Sequence, residues 1–149
     1  MATAALHATR EEEAILEVVE GMAKARFNKD VAAIAAPYAG DAAVYSLAPP
    51  LEHRGIDRTG LQAWLDTWEG PITIEPRDFK VTVAGDMAVC HGFMRMTGTK
   101  KGPEGRVDFW MRETLCLNRQ EGVWKIVHEH TSVPFYMDGS LRPAFDLQP

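Results

Sequence analysis

The sequence predicts an α+β domain: three N-terminal helices packed on a curved, mainly antiparallel sheet. Three observations carry this. Apolar residues recur at helical spacing as far as Trp68. From Ile72 onward they gather instead into β-rich runs separated by short turn signals. Helices come first and strands afterwards, without the alternation that marks a parallel βαβ sheet.

Thr9 followed by Glu11, Glu12 and Glu13 sets a capping hydroxyl before acidic residues, so the first helix is expected to start there. Ile15, Val18, Val19, Met22, Ala23 and the Arg26-Phe27 pair continue it to about Asn28. Asp30 caps a second, shorter helix whose apolar positions Val31, Ile34 and Ala35 lead to Pro37-Tyr38. Residues 42–47 read as a short strand, broken by Ala48-Pro49-Pro50, and a loop runs through His53, Arg54 and Gly55. Thr59 is the expected cap of a third helix over residues 60–68, with Leu61, Trp64, Leu65 and Trp68 on one side and Gly70-Pro71 as its stop. The expected strands are 72–74, 79–83, 87–97, 106–118 and 123–133, divided by Ala84-Gly85-Asp86, Gly102-Pro103-Glu104-Gly105 and Gln120-Glu121-Gly122. Residues 1–149 form one expected domain, with a core over about 11–134 and an irregular tail over 135–149.

Composition narrows the function. The 149 residues are 46% hydrophobic and 25% charged, which suits a globular domain with a real core. With a formal net charge of −5 and no basic cluster beyond Lys100-Lys101, nucleic acid and anionic membrane are excluded as partners. No apolar run approaches the ~20 residues of a membrane span. The start MATAALHATREEE lacks the basic residues and long apolar core of a signal peptide, so a cytoplasmic location is expected. Cys90 and Cys116 each fall inside a strand run without CxxC spacing, which reads as buried, reduced thiols. There is no Gly-rich phosphate loop, and no cofactor or metal is expected.

Turn chemistry suggests the register. Gln120-Glu121-Gly122 fits a hairpin with Gly at a left-handed bulge position, pairing Arg119 with Val123. Glu113 then faces Glu129, Leu115 faces Val127 and Met111 faces Thr131, all on one face. A similar register across the preceding turn sets His91 beside Glu113 and Arg95 beside Phe109. The other face carries Trp110, Arg112, Thr114, Cys116, Trp124, Ile126, His128 and His130. Neither face is plainly solvated, so helices are expected on one and a second subunit on the other.

Several of these segments resemble the nuclear transport factor 2-like superfamily, which includes ketosteroid isomerase and the SnoaL-like polyketide cyclases. They are the two short helices, Tyr38-Ala39-Gly40-Asp41-Ala42-Ala43-Val44, the helix after Gly55, and the meander closing on residues 124–132. Gly85-Asp86 with Ala88, Cys90 and Arg95, then Glu113-Thr114, Gly122-x-Trp124 and His128-x-His130-x-Ser132, are most similar to the association (hub) domain of calcium/calmodulin-dependent protein kinase and its stand-alone bacterial relatives. The resemblance implies a cone-shaped, cystatin-like α+β barrel. A small-molecule pocket is implied between helices and concave sheet face, with a homodimer, or a higher oligomer, built on the convex face. It then assigns Tyr45, Trp64, Trp68, Phe93, Arg95, Phe109 and Met111 to the pocket, and Trp110, Arg112, Thr114, Trp124, His128 and His130 to the interface.

The isomerase's own residues do not carry over. Its oxyanion-hole tyrosine, general-base aspartate and second acid align with Met22, Ser46 and Met111, none of which titrates near neutral pH. Of the hub's three pocket arginines, Arg95 matches one, and Leu115 and Thr131 stand at the others. His91, Glu113 and Glu129 are the candidate catalytic group, because two confined carboxyls push one pKa upward; a satisfied salt-bridge network is the alternative. Arg95 is the candidate anchor for a ligand carboxylate, and His53 reads as an exposed loop residue or one at a pocket mouth. The expected function is a small-molecule pocket protein performing acid/base chemistry of an isomerase, cyclase or lyase type on a mostly apolar substrate. The alternative is a non-catalytic oligomerisation or ligand-sensing module.

Overall fold

Alanines crowd the N-terminus, and alanine is the strongest helix former. Helix α1 accordingly spans Ala2–Phe27 and absorbs Thr9, the expected cap, into its interior. The computed structural model describes residues 2–149, with side chains from Thr9 onward. Ile15, Val19 and Met22 recur at helical spacing on α1 and are buried against the sheet, chiefly its strand β3 (Trp68–Ala84). Helix α2 (Val31–Ala35) is capped as expected, the Asp30 carboxylate accepting from the Ala33 amide at 3.0 Å. Strand β1 (Tyr38–Tyr45) begins sooner than predicted, and His53–Arg54 forms a short strand β2 beside it rather than a loop. Helix α3 is shorter than predicted, Arg58–Leu65, and Asp57 caps it in place of Thr59. Trp68 therefore belongs to β3, and Gly70-Pro71 lies inside that strand instead of stopping a helix.

Strands β4 (Met87–Lys100), β5 (Gly105–Gln120) and β6 (Val123–Ser132) complete a six-stranded sheet ordered β2-β1-β6-β5-β4-β3. All neighbours are antiparallel except β1 and β6. The two runs expected at 72–74 and 79–83 are one strand, irregular between Arg77 and Lys80, where Asp78 takes a left-handed φ of 56°. Here β3 crosses close over β4: a Cβ on Gly92 would come within 2.5 Å of the Phe79 ring. Such irregularities increase strand twist and bend the sheet.

Register decides which residues face the helices, and it differs from the expected one in two places. The β4–β5 hairpin turns through residues 101–104 and pairs Lys100 with Gly105, which sets His91 opposite Thr114, Gly92 opposite Glu113 and Arg95 opposite Trp110. A one-residue slip exchanges every side chain between faces. Cys90, Met94 and Met96 hence share the inner face with Met111 and Glu113, while His91, Phe93 and Arg95 lie on the outer one.

The second difference restores the expected faces but not the expected pairing. Strands β5 and β6 join through Glu121-Gly122 alone, both at positive φ (51° and 78°), pairing Arg119 with Trp124. A bulge between Cys116 and Leu117 then passes over Val127 and restores the inner placement of Glu129 and Thr131, opposite Leu115 and Glu113. Trp124 and Ile126, on the turn side of the bulge, are buried in the core instead of the outer face. The Trp124 indole N–H donates to Glu11 at 2.8 Å.

Gly55 closes the β1–β2 corner with φ 68°, and a Cβ there would stand 2.4 Å from the Gly40 carbonyl oxygen. Gly55→Ala is expected to destabilise by at least about 1–3 kcal/mol from the left-handed backbone alone, read as a lower midpoint in urea denaturation.

A buried carboxyl pair at the floor of the cavity

Between the inner sheet face and α3 lies a cavity of about 470 Å³. Its walls are mostly apolar: Ile56, Leu61 and Trp64 on the helix side, and Val44, Ile74, Met94, Met96 and Met111 on the sheet. The mouth carries Ser46, His53 and Asp57, with the Ala48-Pro49 turn beside them. Buried charged groups converge at the floor, where Arg26, Glu113 and Glu129 line the space and Thr131 stands beside them.

Strand alternation delivers the carboxyls. Glu113 follows Met111 inward on β5, and the Val127 bulge brings Glu129 to the same face of β6. They are not directly opposed but diagonal, since Glu113 pairs with Thr131 and Glu129 with Leu115. Both are buried, Glu113 to 3% exposure and Glu129 to 6%. Glu129 accepts a short hydrogen bond from the Tyr38 hydroxyl, and Tyr38 is itself buried at the start of β1. One oxygen of Glu113, Oε2, has no hydrogen-bond partner among the described residues. An unpaired buried acceptor is costly, so this carboxyl is where a proton is wanted: burial favours holding it first, and a hydrogen bond with Glu129 adds to that.

The electrostatics follow from the burial. Burial raises the Glu113 pKa well above the usual carboxyl range, repulsion from Glu129 adds to it, and the Arg26 guanidinium opposes only in part. Burial likewise pushes the Tyr38 phenol up, with Glu129 adding and Arg26 opposing, so Tyr38 stays a neutral donor. Burial alone would lower the Arg26 pKa, but Tyr38, Glu129 and Glu113 more than offset it, and the guanidinium stays charged. The floor is thus a four-residue group built around one cation and one carboxyl inclined to hold a proton. Cys90, also inward, is pushed up to about 12 by burial first and then by Glu113, so it is no nucleophile at neutral pH.

Of the sequence-derived catalytic group, the structure brings Glu113 and Glu129 together and leaves His91 exposed on the other face. Arg95, the expected ligand anchor, is on the outer face as well, in a bidentate pair with Asp108 at 2.9 Å. Phe93 shares that face, and so does Tyr45, which stands edge-on to His128 and His130 at 4.8 and 5.5 Å. Among the expected pocket residues, Trp64 and Met111 line the cavity, whereas Trp68 and Phe109 line a separate one. The expected interface residues Trp110, Arg112, Thr114, His128 and His130 lie on the outer face, but Trp124 does not.

Arg26 and Tyr38 were not foreseen as site residues. The signal for Arg26 is its place four residues after Met22 on the apolar stripe of α1, where a cation needs a buried partner. Tyr38 shares strand parity with Ala42 and Val44, both buried. No group of three His, Cys, Asp or Glu side chains able to hold a metal occurs among the described residues.

A family model described as a SnoaL-like domain matches residues 15–136. No curated protein sequence matches the chain. Among solved structures, an NTF2-like protein of unknown function from Pseudomonas putida KT2440 is 30% identical, with a TM-score of 0.83 over 95% of this chain and 98% of that one. A provisionally assigned dehydratase of the NTF2-like family from Streptomyces avermitilis superposes with a TM-score of 0.71 at 16% identity, over 84% and 97%. A protein with a cystatin-like fold from Caulobacter vibrioides does so at 0.69 and 20% identity, over 83% and 89%. The last two show the fold alone.

Proposed function

The chain belongs to the SnoaL-like family, within the NTF2-like fold, and we propose that its cavity is the active site of an acid/base enzyme acting on a mostly apolar small molecule. One observation carries the reading: the Glu113 carboxyl is buried at the cavity floor with a raised pKa and one oxygen unpartnered. A carboxyl whose pKa is raised by burial holds a proton it can give as an acid and then take back as a base.

The chemistry that fits is elimination of water from a β-hydroxy carbonyl compound, or the related shift of a double bond. Glu113 gives its proton to the substrate hydroxyl, whose C–O bond breaks as water leaves. The resulting carboxylate, stabilised by Arg26, takes the proton from the carbon beside the carbonyl. The C–H electron pair becomes the C=C bond, and Glu113 returns to its protonated form. Tyr38 donates to Glu129 and keeps that carboxyl oriented beside the reacting one. The dehydratase assignment of the Streptomyces neighbour accords with this reading. The test is deuterium wash-in: β-hydroxy and α,β-unsaturated carbonyl compounds with apolar rings are incubated with the protein in D₂O. Label should enter the carbon acid with the native protein and not with Glu113→Gln; equal label with both proteins overturns the proposal.

We also propose a homodimer through the outer sheet face. Tyr45 and Val89 are 38% and 40% exposed there, beside the half-buried Trp110, and such a surface suits a second copy. Sedimentation at micromolar concentration should give a dimer, and Trp110→Asp a monomer of unchanged fold. A native monomer overturns this.

A further inference from the structure

Trp64 and Met96 form the wall between the main cavity and a second one of about 440 Å³. This second space lies near the β4–β5 turn, and its remaining lining is Trp68, Val107, Phe109, Phe145 and the charged residues Lys100, Arg106 and Asp108. Its character is opposite to that of the main cavity. The Lys100 ammonium is held by the Thr67 hydroxyl at 2.7 Å and lies 4.6 Å from the Trp68 ring centroid and 5.6 Å from that of Trp64. Arg106 reaches this space from the outer-face side of β5 beside Asp108, whose carboxyl is held down first by its hydrogen bonds from Arg95 and in part by the Arg106 charge. Asp108 is already taken by Arg95 through both oxygens, so it offers little repulsion to an anion. The Trp68 indole nitrogen is buried, with no acceptor among the described residues. Phe145, from the tail, packs on Phe109 with ring centroids 4.6 Å apart and supplies the outer wall.

From this juxtaposition of aromatic walls, two cations and an unused indole donor, we infer that the second cavity binds a small planar aromatic carboxylate. The ring lies among Trp64, Phe109 and Phe145. The carboxylate sits against the Lys100 ammonium, with Arg106 adding positive charge from the strand edge. An anion suits this space better than the main cavity, where Arg26 already faces Glu129 and the mouth carries Asp57. The site is independent of any chemistry at Glu113 and stands if that proposal fails.

The experiment is isothermal titration of the full chain with 2-naphthoate and, as the neutral control, 2-naphthalenemethanol. The carboxylate should bind about tenfold or more tighter than the alcohol, with an affinity that falls as salt rises. Lys100→Met and Arg106→Gln should each remove most of that preference, and Lys100→Arg should keep it. Neither Lys100 nor Arg106 belongs to the buried core, and circular dichroism checks that the variants fold. Glu113→Gln should leave naphthoate affinity unchanged. Equal binding of acid and alcohol overturns the inference, as does indifference to both charge-removing variants. Tighter naphthoate binding in Glu113→Gln also overturns it, by putting the anion in the main cavity.

Discussion

Glu113→Gln is expected to lower turnover by about 10²–10⁴-fold, the usual contribution of a positioned acid/base group, while ligand affinity changes little. The amide keeps the shape of the protonated carboxyl, so walls and floor remain in place. What it lacks is a transferable proton. A structural reading of the same residue predicts the reverse, an intact rate with a changed stability, so the two are separated by measuring both.

Stability carries its own signature because the Glu113 pKa is raised in the folded protein. An unfolded glutamate titrates near about 4.3. Below that pH the carboxyl is protonated in both states, and its favourable burial is fully present. As pH rises toward the folded value, the unfolded chain releases a proton that the native state retains, and stability is lost progressively. Glutamine has no such loss. The melting temperature of Glu113→Gln relative to the native protein should therefore rise as pH climbs from 4 to 8. A constant difference across that range would mean that Glu113 is not held protonated. Tyr38 is also raised, but its window opens only above the ordinary phenol range, near pH 10, and does not interfere.

The fold class was legible because it rests on periodicity, which survives errors at element ends. Trp68 shows the limit. Its spacing from Leu61, Trp64 and Leu65 is helical, yet α3 ends at Leu65 and Trp68 opens β3. The Thr67 hydroxyl donating to the Trp64 carbonyl at 2.6 Å helps end the helix there. Face assignments depend on single-residue register and were correspondingly fragile. Glu113 and Glu129 share the inner face as expected only because a shorter hairpin turn and the Val127 bulge each shift register by one residue the same way, and two residues restore the face while moving Glu113 opposite Thr131. Across residues 101–104 the shift is a single residue, so His91, Phe93 and Arg95 lie on the outer face. A bulge leaves no clear mark in Val123-Trp124-Lys125-Ile126-Val127, a run that reads as unbroken strand. The partners of the carboxyls come from distant elements, Arg26 from α1 and Tyr38 from β1, and only packing brings them to β5 and β6.

That packing makes Arg26 the residue whose loss should be felt most in stability. Arg26→Met keeps an unbranched apolar stem but removes the cation facing Tyr38, Glu113 and Glu129. Breaking a buried charge group by deleting one sign destabilises by about 3–5 kcal/mol, because the remaining charge stays desolvated without compensation. Without the opposing cation Glu113 would hold its proton more tightly still, so the sign of the pH dependence is that of a raised acid. Near pH 4 Glu113 is largely protonated in both states, and the deficit should be smallest. As pH climbs, the unfolded Glu113 ionises while the folded one resists, and the deficit should be larger at pH 8. Urea denaturation at the two pH values measures this directly. Adding Glu129→Gln to Arg26→Met should recover a large part of the loss at pH 8, since replacing both signs is far milder than removing one. If Arg26→Met is equally destabilising at pH 4 and pH 8, the residue acts through its packing alone, and the carboxyl pair is not tuned by its charge. A recovery in the double variant together with lost turnover would instead tie the proton held on Glu113 to the same electrostatic group that stabilises the fold.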